Sequence, residues 1–417
     1  LRRLFLLLMS VSLSWLYFDV KYDVGGVKLD REDVMSRDYV RVSDFEWAKI
    51  DRESIESVKK FEKKLRNAGL SDERRLEPMK WFILEDIVEE FEGRTVFYRE
   101  FRKFIDKLSD FSYNPNFKLP SDIEDYLRKH GIVLRPYQRA GIHWLYWLAK
   151  HNLHGLLADD MGLGKTIQAL VAIRLVYRET RSKDHTLIVA PKSVIRHWCK
   201  EISRVFPKMY PCVFVGEGKE LCKSLMFDGE PMILLTTYAT LVRERNFLKN
   251  LDFLFVVLDE GTHIKNPFTK RAHAAKMLKA KHRIVLSGFP VENRLADLWS
   301  IFDFLMKGHL GSYEQFIKIF EIPIIINNKY AAARLSEKIK PFILRRLKKD
   351  VAKDLPDKIE MEYWVSLTRE QAKLYREIIR ADSTVSVLNK LKRGAKYSYV
   401  NVMAILTKLK QVCDHPA

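Results

Sequence analysis

The chain has 417 residues, enough for two or three domains with ample hydrophobic core. Hydrophobic residues make up 47% and charged residues 30%, a balance that excludes an intrinsically disordered chain. Lysine and arginine exceed aspartate and glutamate by 73 − 54 = 19. That excess favours an anionic partner such as nucleic acid, and basicity that serves solubility alone is the alternative.

The cysteines give no sign of a metal site. None of the four forms a CxxC pair, and no histidine cluster accompanies them at zinc spacing. We therefore expect reduced thiols, as in an intracellular protein, and no structural metal. The cysteines are Cys199, Cys212, Cys222 and Cys413.

The first 18 residues, LRRLFLLLMSVSLSWLYF, superficially resemble a signal peptide because two arginines precede an apolar run. Ser10, Ser12 and Ser14, however, alternate with apolar residues at the period of a half-buried strand. The run is shorter than the roughly 20 residues of a membrane span, and no small-residue cleavage site follows it. The sequence therefore predicts a strand in an intracellular protein without a membrane partner.

Residues 1–125 are predicted to form an accessory domain of strands followed by helices. Residues 51–69 have the spacing of an amphipathic helix. Further helices are expected over 84–93 and 97–111, before a proline- and asparagine-rich linker, YNPNFKLPSD. Because we find no catalytic constellation here, the expected role is structural or that of a docking surface.

From about residue 125, short β-branched runs alternate with helical patterns. This alternation predicts an α/β fold, a parallel sheet with helices on both faces. In such sheets ligands bind at the carboxyl ends of the strands, and each motif below falls at one of those ends. The strand candidates are TLIVA (186–190), CVFVG (212–216), MILLT (232–236), FLFVVL (253–258) and HRIVLS (282–287).

The stretch LLADDMGLGKTIQAL joins a strand end, a glycine-bearing turn and a helix start. Gly162 and Gly164 let successive backbone amides face one point, to which the helix N-terminus adds positive potential. In such a phosphate loop Lys165 reaches phosphate oxygens and the Thr166 hydroxyl binds Mg²⁺. The general pattern has glycine where this chain has Asp159, and an ordinary glycine turn is the alternative. The loop residues also expected to contact nucleotide are Asp160, Met161 and Leu163.

The apolar run LDFLFVVL ends in two carboxylates, Asp259 and Glu260. Carboxylates at the end of a buried strand need a positive partner, and a nucleotide-bound Mg²⁺ supplies one. Asp259 is expected to hold the metal through its water shell, and Glu260 to orient and deprotonate the attacking water. A surface acidic pair is the alternative, which a phosphate loop on a neighbouring strand disfavours.

A third motif, VLRPYQRAGIHWLYWLAK, precedes the phosphate loop. Tyr137 can stack on a base, and Gln138 can satisfy the donor and acceptor edge of adenine. The aromatic residues farther along this helix are expected in the core. Arg135 and Gln138 are the residues that we assign to nucleotide recognition.

Residues from about 130 to 417 resemble the Swi/Snf family of ATP-driven double-stranded-DNA translocases, in helicase superfamily two. The combination of DDMGLGKT with ILRR and CDHP makes the resemblance highly specific. The blocks that carry it, in family order, are LRPYQ, LADDMGLGKT, IVAPKSVIRHW, LLTTYATL, LDEG, IKNP, LSGFPVENRLADLWSIFDFL, PFILRRLKKDVAKDLPDKIE and LKQVCDHP.

The resemblance implies a RecA-like, P-loop NTPase lobe over residues 126–345, with a helical protrusion near 296–335, and ATP and Mg²⁺ as cofactors. Residues 346–417 are expected to hold a linker and the start of an incomplete second RecA-like lobe. That lobe carries the arginine fingers, worth about 10³ to 10⁵ in rate in related phosphate chemistry. We therefore expect weak ATP hydrolysis unless the same or another chain supplies a second lobe.

The resemblance also implies backbone contacts with duplex DNA that are independent of base sequence. Hydroxyls and amides at strand ends can hold phosphates without reading bases. The resemblance places Thr262 and Ser287 in the motifs that couple hydrolysis to DNA. In these motifs Thr262 stands where the family has His or Gln, and Phe289 replaces the usual threonine. The loops matched to DNA contacts carry Lys192, Ser193, Thr236, Thr237 and Tyr238.

The implied function is a DNA-stimulated ATPase that moves along duplex DNA without separating its strands, in the cytoplasm or on the nucleoid. One alternative is a catalytically weak nucleic-acid-binding module that retains the ATPase fold, which Thr262 and Phe289 favour. The other is a strand-separating helicase of the same superfamily, which the ILRR and CDHP blocks disfavour.

Overall fold

The computed structural model of the chain divides into two compact units, Leu1–Lys353 and Asp354–Ala417. Each is described by itself below. The residues that the structure describes are 3–11, 16–24, 27–41, 43, 47–50, 52–67, 75–76, 84, 87, 94–97, 117–226, 230–288, 294–351, 361–381, 384–385 and 399–414.

The amino-terminal section of the first unit is built on a five-stranded sheet and a two-stranded sheet. In the larger sheet β1 pairs antiparallel with β2 and parallel with β7, while β3 and β6 pair with β2; β4 and β5 form the smaller one. β1 and β2 confirm strand structure within the first 18 residues, whereas Ser12 and Ser14 of the predicted alternation lie outside the described residues. The strands are β1 Arg3–Val11, β2 Leu16–Val24, β3 Val27–Leu29, β4 Tyr39–Arg41, β5 Trp47–Lys49, β6 Arg75–Leu76 and β7 Arg94–Phe97.

Two helices accompany these strands, α1 (Arg31–Ser36) and α2 (Arg52–Asn67). α2 confirms the helix predicted over 51–69, and it buries Val58, Phe61 and Leu65 at the spacing of one helical face. The helices predicted over 84–93 and 97–111 lie almost wholly outside the described residues.

A seven-stranded parallel sheet forms the centre of the first unit. All five strands predicted from apolar runs are confirmed, with ends that differ by three residues at most. The strands are β8 Gly155–Leu157, β9 His185–Val189, β10 Pro211–Val213, β11 Ile233–Thr236, β12 Asp252–Asp259, β13 Lys279–Leu286 and β14 Ile343–Leu344.

In space the strands follow the order β10, β11, β9, β12, β13, β8 and β14. The central strand β12 is almost entirely buried, and residues 253–258 are each at most 1% exposed. Such a continuous apolar run is typical of a parallel strand covered on both faces. The carboxyl ends of β8, β9, β11, β12 and β13 consequently share one edge of the sheet, where the sequence motifs lie.

Helices flank this sheet, as the sequence predicted. Among the described residues no helix is long and apolar enough to cross a membrane. The helices as far as residue 276 are α3 Ser121–Lys129, α4 Pro136–Lys150, α5 Lys165–Thr180, α6 Ile195–Val205, α7 Gly218–Leu225, α8 Tyr238–Arg243, α9 Arg245–Leu248 and α10 Lys270–Lys276, with 3₁₀ turns at Lys192–Val194 and Gly261–Ile264.

A helical section follows β13 before the chain returns to the sheet as β14. The indole of Trp144 in α4 donates to the carbonyl of Pro341 at 3.3 Å, next to the fully buried Phe342, and this fixes the return. The helices before β14 are α11 Leu295–Leu305, α12 Tyr313–Phe316, α13 Ile322–Ile325 and α14 Lys329–Ile339, with a π-helical turn at Ile317–Glu321 and a 3₁₀ turn at Lys340–Phe342. A short helix, α15 Lys348–Val351, follows β14.

The second unit contains α16 (Arg369–Arg380) and α17 (Tyr399–Asp414). Thr368 caps α16 through a capping box with Gln371, whose Nε2 atom also donates to the carbonyl of Cys413 at 3.0 Å. These hydrogen bonds hold the start of one helix against the end of the other.

The expectation that all the thiols are reduced is wrong for one pair. Cys212 in β10 and Cys222 in α7 form a disulfide, with their Cα atoms 5.9 Å apart. The chain turns back between this edge strand and the next helix, which brings the two thiols within bonding distance. Cys199 and Cys413 are free cysteines.

The buried aromatic residues of α11 supply the first prediction. Phe302 is fully buried, so Phe302→Ala should lower the free energy of unfolding by about 3–5 kcal/mol through lost contacts and a cavity. Phe268 is 70% exposed, and Phe268→Ala should change it by only about 0.5 kcal/mol. Urea unfolding of both variants measures the difference, and equal losses would contradict the packing described here.

Candidate nucleotide site

The loop predicted to bind phosphate runs from the end of β8 to Lys165, the first residue of α5. Gly162 and Gly164 have φ values of 83° and 75°, a left-handed conformation that residues with side chains rarely adopt. A Cβ atom on Gly164 would also lie 2.6 Å from Nε2 of Gln138, closer than packed atoms approach. Glycine at both positions therefore gives the loop its curled path.

The ammonium group of Lys165 is held by the loop itself. Its Nζ atom donates to the carbonyl oxygens of Asp159 at 2.8 Å and Asp160 at 3.3 Å. Burial lowers the pKa of Lys165, and the charges of Asp159, Glu260, Asp259 and Asp160 oppose that shift. The lysine thus lies within electrostatic reach of both carboxylates that end β12.

The Asp259 carboxylate is fixed by two donors. Trp198 donates its indole N–H to Oδ2 at 2.8 Å, and the backbone N–H of Glu260 donates to Oδ1 at 3.0 Å. Burial raises the pKa of Asp259, while the Trp198 hydrogen bond, the Glu260 N–H and the Lys165 charge each act to lower it. Glu260 has a left-handed φ of 52°, a conformation that costs free energy outside glycine and recurs at functional sites.

A tyrosine connects the acidic pair to the neighbouring strand end. Tyr238 follows β11, and its buried hydroxyl donates to the carbonyl of Asp259 at 2.7 Å. Burial raises the pKa of Tyr238 well above its usual value, so the hydroxyl keeps its proton and remains a donor. Its ring centroid lies 4.5 Å from that of His263, whose Nδ1 atom is 3.2 Å from a guanidinium nitrogen of Arg271. Thr262 is half-buried on the same 3₁₀ turn as His263.

Gln138 bridges the start of α4 and the loop. Its Nε2 atom donates to the carbonyl of Leu163 at 3.3 Å, and its Oε1 atom accepts from the backbone N–H of Arg135 at 3.0 Å. Arg135 is exposed, whereas Tyr137 is only 5% exposed and its ring lies under the guanidinium of Arg346. Stacking of a base on Tyr137 stays a prediction.

The residues predicted to contact DNA fall into two groups. Lys192 and Ser193 are exposed on the 3₁₀ turn after β9. The other members are buried, and the hydroxyls at the end of β11 have hydrogen-bond partners within the protein. The buried members are Thr236, Thr237 and Tyr238, and Ser287, which is assigned to coupling, is buried as well.

The sequence did not predict three residues of this site: Trp198, Gln168 and Arg346. Arg346 pairs with the buried carboxylate of Asp159, and Gln168 hydrogen-bonds to both. The signal that points to Arg346 and Gln168 is Asp159 itself, because a buried carboxylate where a phosphate loop normally has glycine requires a buried cation. The remaining loop residues differ in exposure, with Met161 55% and Leu163 2% exposed.

Thr166 and Asp259 offer a hydroxyl and a carboxylate oxygen, which are ligands that Mg²⁺ takes together with nucleotide phosphates and water. In the described part of the chain, no group of three or more His, Cys, Asp or Glu residues could hold a metal ion. With these two oxygen donors, Thr166 and Asp259 fit a metal that takes its remaining ligands from nucleotide phosphates and water. Phe289 lies outside the described residues.

The hydrogen bond from Trp198 to Asp259 leads to a prediction about how the stability of a Trp198 variant depends on pH. Because burial raises the pKa of Asp259, ionising this carboxyl in the folded protein costs stability, and the cost appears as pH rises through its pKa. Trp198→Phe removes a donor to the ionised form and enlarges the cost. Its loss of unfolding free energy should be about 1.5–3 kcal/mol near pH 7 and smaller near pH 4.

Trp144→Phe is the matched control, because that indole donates to an uncharged carbonyl. Its loss should be the same at both pH values. Urea unfolding at the two pH values measures both variants, and a pH-independent loss in Trp198→Phe would contradict the assignment.

Comparison with known proteins gives matches along most of the chain. The SNF2-related domain matches residues 137–417. YwqA of Bacillus subtilis, a putative ATP-dependent helicase/translocase, is 34% identical over 386 residues, which are 89% of this chain and 41% of that protein. TATA-binding protein-associated factor 172 of Homo sapiens is 33% identical over 350 residues, 76% of this chain and 19% of that protein. The chain thus spans less than half the length of these relatives.

Among solved structures, the Sulfolobus solfataricus SWI2/SNF2 ATPase core in complex with dsDNA is similar with a TM-score of 0.51 and 37% identity. The similarity covers 72% of this chain and 61% of that chain. The seven-stranded parallel sheet flanked by helices is accordingly the RecA-like fold of that core. With the SNF2-related domain matching from residue 137 to residue 417, the chain belongs to the SNF2-related domain family.

Proposed function

We propose that this chain is the nucleotide-binding part of an ATP-dependent motor that moves along double-stranded DNA without separating the strands. The observation that carries the proposal is the position of the Lys165 loop and of Asp259 and Glu260 at the same edge of the sheet, since β8 and β12 both pair in parallel with β13. A cation in a glycine-curled loop and two carboxylates on a nearby strand end are the parts that nucleotide hydrolysis requires.

In the proposed site the loop amides and Lys165 bind the phosphates of ATP. Lys165 leaves the carbonyls of Asp159 and Asp160, which hold its ammonium group, and bonds to the phosphate oxygens instead. Gln138, fixed between Arg135 and the loop, presents its amide to the adenine. Together these residues orient the nucleotide over the carboxyl edge of the sheet.

Thr166 and Asp259 would hold Mg²⁺, which neutralises charge that develops on the phosphates during transfer. Trp198 keeps the Asp259 carboxylate oriented for this role by occupying Oδ2. Glu260 acts as the general base, accepting the proton of the attacking water. Glu260 follows the last residue of β12 and has a left-handed backbone, so the chain changes direction at this residue.

For DNA we propose contacts with phosphates, beginning with the exposed Lys192 and Ser193. The support is the position of this turn at the carboxyl edge of the sheet, together with the similar SWI2/SNF2 core, which was solved in complex with dsDNA. The buried hydroxyls of Thr236, Thr237 and Tyr238 have protein partners, so a contact through this loop would use other atoms or a rearranged loop.

The link from hydrolysis to DNA is proposed to run through Tyr238, Thr262 and Ser287. Tyr238 joins the β11 strand end to the carbonyl of Asp259, so a shift of the acidic pair moves the loop that follows β11. Thr262 lies on the turn between the acidic pair and His263. This path uses protein contacts already formed around the two carboxylates.

We further propose that hydrolysis by this chain alone is slow. In motors of this kind the arginines that stabilise the transferred phosphate come from a second RecA-like lobe, in the same or another chain. A protein that acts on chromosomal DNA works inside the cell, in the cytoplasm or on the nucleoid.

The nucleotide site is tested by two substitutions, of which one should weaken nucleotide binding and the other should slow hydrolysis. Lys165→Ala should weaken binding of a fluorescent ATP analogue at least tenfold, because the loop loses its phosphate-binding cation. Glu260→Gln should bind within about twofold of the unsubstituted chain but slow single-turnover hydrolysis by at least about 100-fold.

Duplex DNA should raise the hydrolysis rate of the unsubstituted chain. In an unwinding assay the chain should not separate the strands of a tailed duplex. Nucleotide binding without any hydrolysis would instead support the alternative of a nucleic-acid-binding module that retains the ATPase fold. Unchanged affinity in Lys165→Ala would contradict the nucleotide site.

The DNA surface is tested by the salt dependence of binding. Lys192→Ala should weaken duplex binding and reduce the slope of log affinity against log salt by about one, because one phosphate contact is lost. Lys279→Ala is the matched control, since this exposed lysine lies at the amino end of β13, the opposite edge of the sheet. Equal slopes in the two variants would contradict the proposed surface.

A further inference from the structure

Arg346 lies just beyond β14, outside the segments assigned to nucleotide binding, yet its side chain is only 8% exposed. Nε donates to Oδ1 of Asp159 at 2.9 Å, and Nη2 donates to Oδ2 of the same carboxylate. Nη2 also donates to Oε1 of Gln168 at 2.7 Å, and Nη1 donates to the carbonyl of Tyr137. One guanidinium therefore contacts the start of the phosphate loop, the first turns of α5 and the start of α4.

The Asp159 carboxylate is fully buried. A buried charge of this kind persists only when it is paired and its remaining hydrogen-bonding positions are filled. Arg346 fills two positions in a forked geometry, and Nε2 of Gln168 donates to Oδ2 at 3.2 Å. The same Gln168 amide donates to the carbonyl of Leu163 at 3.2 Å, so the network holds both ends of the loop.

Backbone hydrogen bonds also attach the phosphate loop to β14 and the residues after it. The N–H of Ala158 donates to the carbonyl of Leu344 at 2.7 Å, and the N–H of Asp160 donates to the carbonyl of Arg346 at 3.0 Å. The N–H of Lys348 donates to Oδ2 of Asp160 at 2.9 Å. The first residues of the phosphate loop are therefore hydrogen-bonded to β14 and to the segment that follows it.

We infer that Arg346 is a positioning residue of the nucleotide site, which fixes the phosphate loop through the Asp159 carboxylate. The inference rests on the proposed function. The carbonyls that hold Lys165 belong to Asp159 and Asp160, so a shift of this stretch displaces the phosphate-binding lysine with it. Arg346 contacts the loop and its flanking helices, and it acts on the nucleotide through them.

Gly141 in α4 provides an independent way to disturb this network. A Cβ atom there would lie 1.9 Å from Oε1 of Gln168 and 2.8 Å from Nη2 of Arg346. Elsewhere in a helix, glycine to alanine is a favourable change. Gly141→Ala would force the Gln168 amide away from Arg346 while leaving both charges of the ion pair in place.

The experiment compares binding of a fluorescent ATP analogue with stability in denaturant for a set of variants. Arg346→Gln should weaken binding at least tenfold, and Gly141→Ala should weaken it several-fold. Arg346→Lys, which keeps the charge but loses the fork, should fall between Arg346→Gln and the unsubstituted chain.

Lys276→Met is the control for a purely structural effect, because it removes a partly buried ion pair with Asp303, between α10 and α11. It should lower stability yet bind the analogue within about twofold of the unsubstituted chain. Lys165→Ala is the reference for the site. If Lys165→Ala binds normally, the proposed function fails with the inference.

If Lys165→Ala loses binding while folded Arg346→Gln keeps the affinity of the unsubstituted chain, the inference alone is overturned. If Arg346→Gln does not fold, binding of the ATP analogue to Gly141→Ala tests the inference in its place. Normal affinity in Gly141→Ala would then overturn the inference, and a several-fold loss would support it.

Discussion

The concentration of carboxylates at one edge of the parallel sheet is the constraint on which the rest of the site depends. Asp159 and Asp160 lie at the end of β8, and Asp259 and Glu260 lie at the end of β12. Charges withdrawn from water destabilise a fold unless donors or cations compensate them. The structure supplies a forked guanidinium for Asp159, an indole for Asp259 and the ammonium of Lys165 within reach of all four.

These compensating groups differ in how firmly they are held. Arg346 is buried and tied to several partners, so its pairing with Asp159 is part of the scaffold. Lys165 is held only by carbonyl oxygens in the described contacts, and such bonds can be exchanged for bonds to phosphate at little cost. The fold thus fixes the carboxylate that shapes the loop and leaves the lysine available to a ligand.

The parts of the fold that followed from sequence are those set by local pattern. Apolar runs predicted β9 and β12 to within one residue at each end, because a strand buried on both faces reads as a nearly continuous apolar run. β14 escaped notice because a strand of two residues has no periodicity to detect. The Cys212–Cys222 disulfide escaped because ten residues of spacing do not reveal that the chain turns back.

The residues of the candidate site likewise divide into those marked by a local motif and those brought together only by the fold. Lys165, Asp259 and Glu260 could be assigned to the candidate site from sequence because each lies in a short motif whose spacing reflects its chemistry. Arg346 was not, because its partner Asp159 lies 187 residues away along the chain and only the return of β14 to the sheet brings them together. Trp198 and Asp259, 61 residues apart, meet for a similar reason, since β9 and β12 are neighbours.

A crystal structure of the chain with a non-hydrolysable ATP analogue and Mn²⁺ tests the central claim most directly. The account predicts an anomalous peak for Mn²⁺ beside Thr166 and Asp259, with Lys165 moved from the carbonyls of Asp159 and Asp160 onto phosphate oxygens. It also predicts that the Arg346–Asp159 pair is unchanged. Nucleotide bound elsewhere, or Lys165 still on those carbonyls with the loop filled, would contradict it.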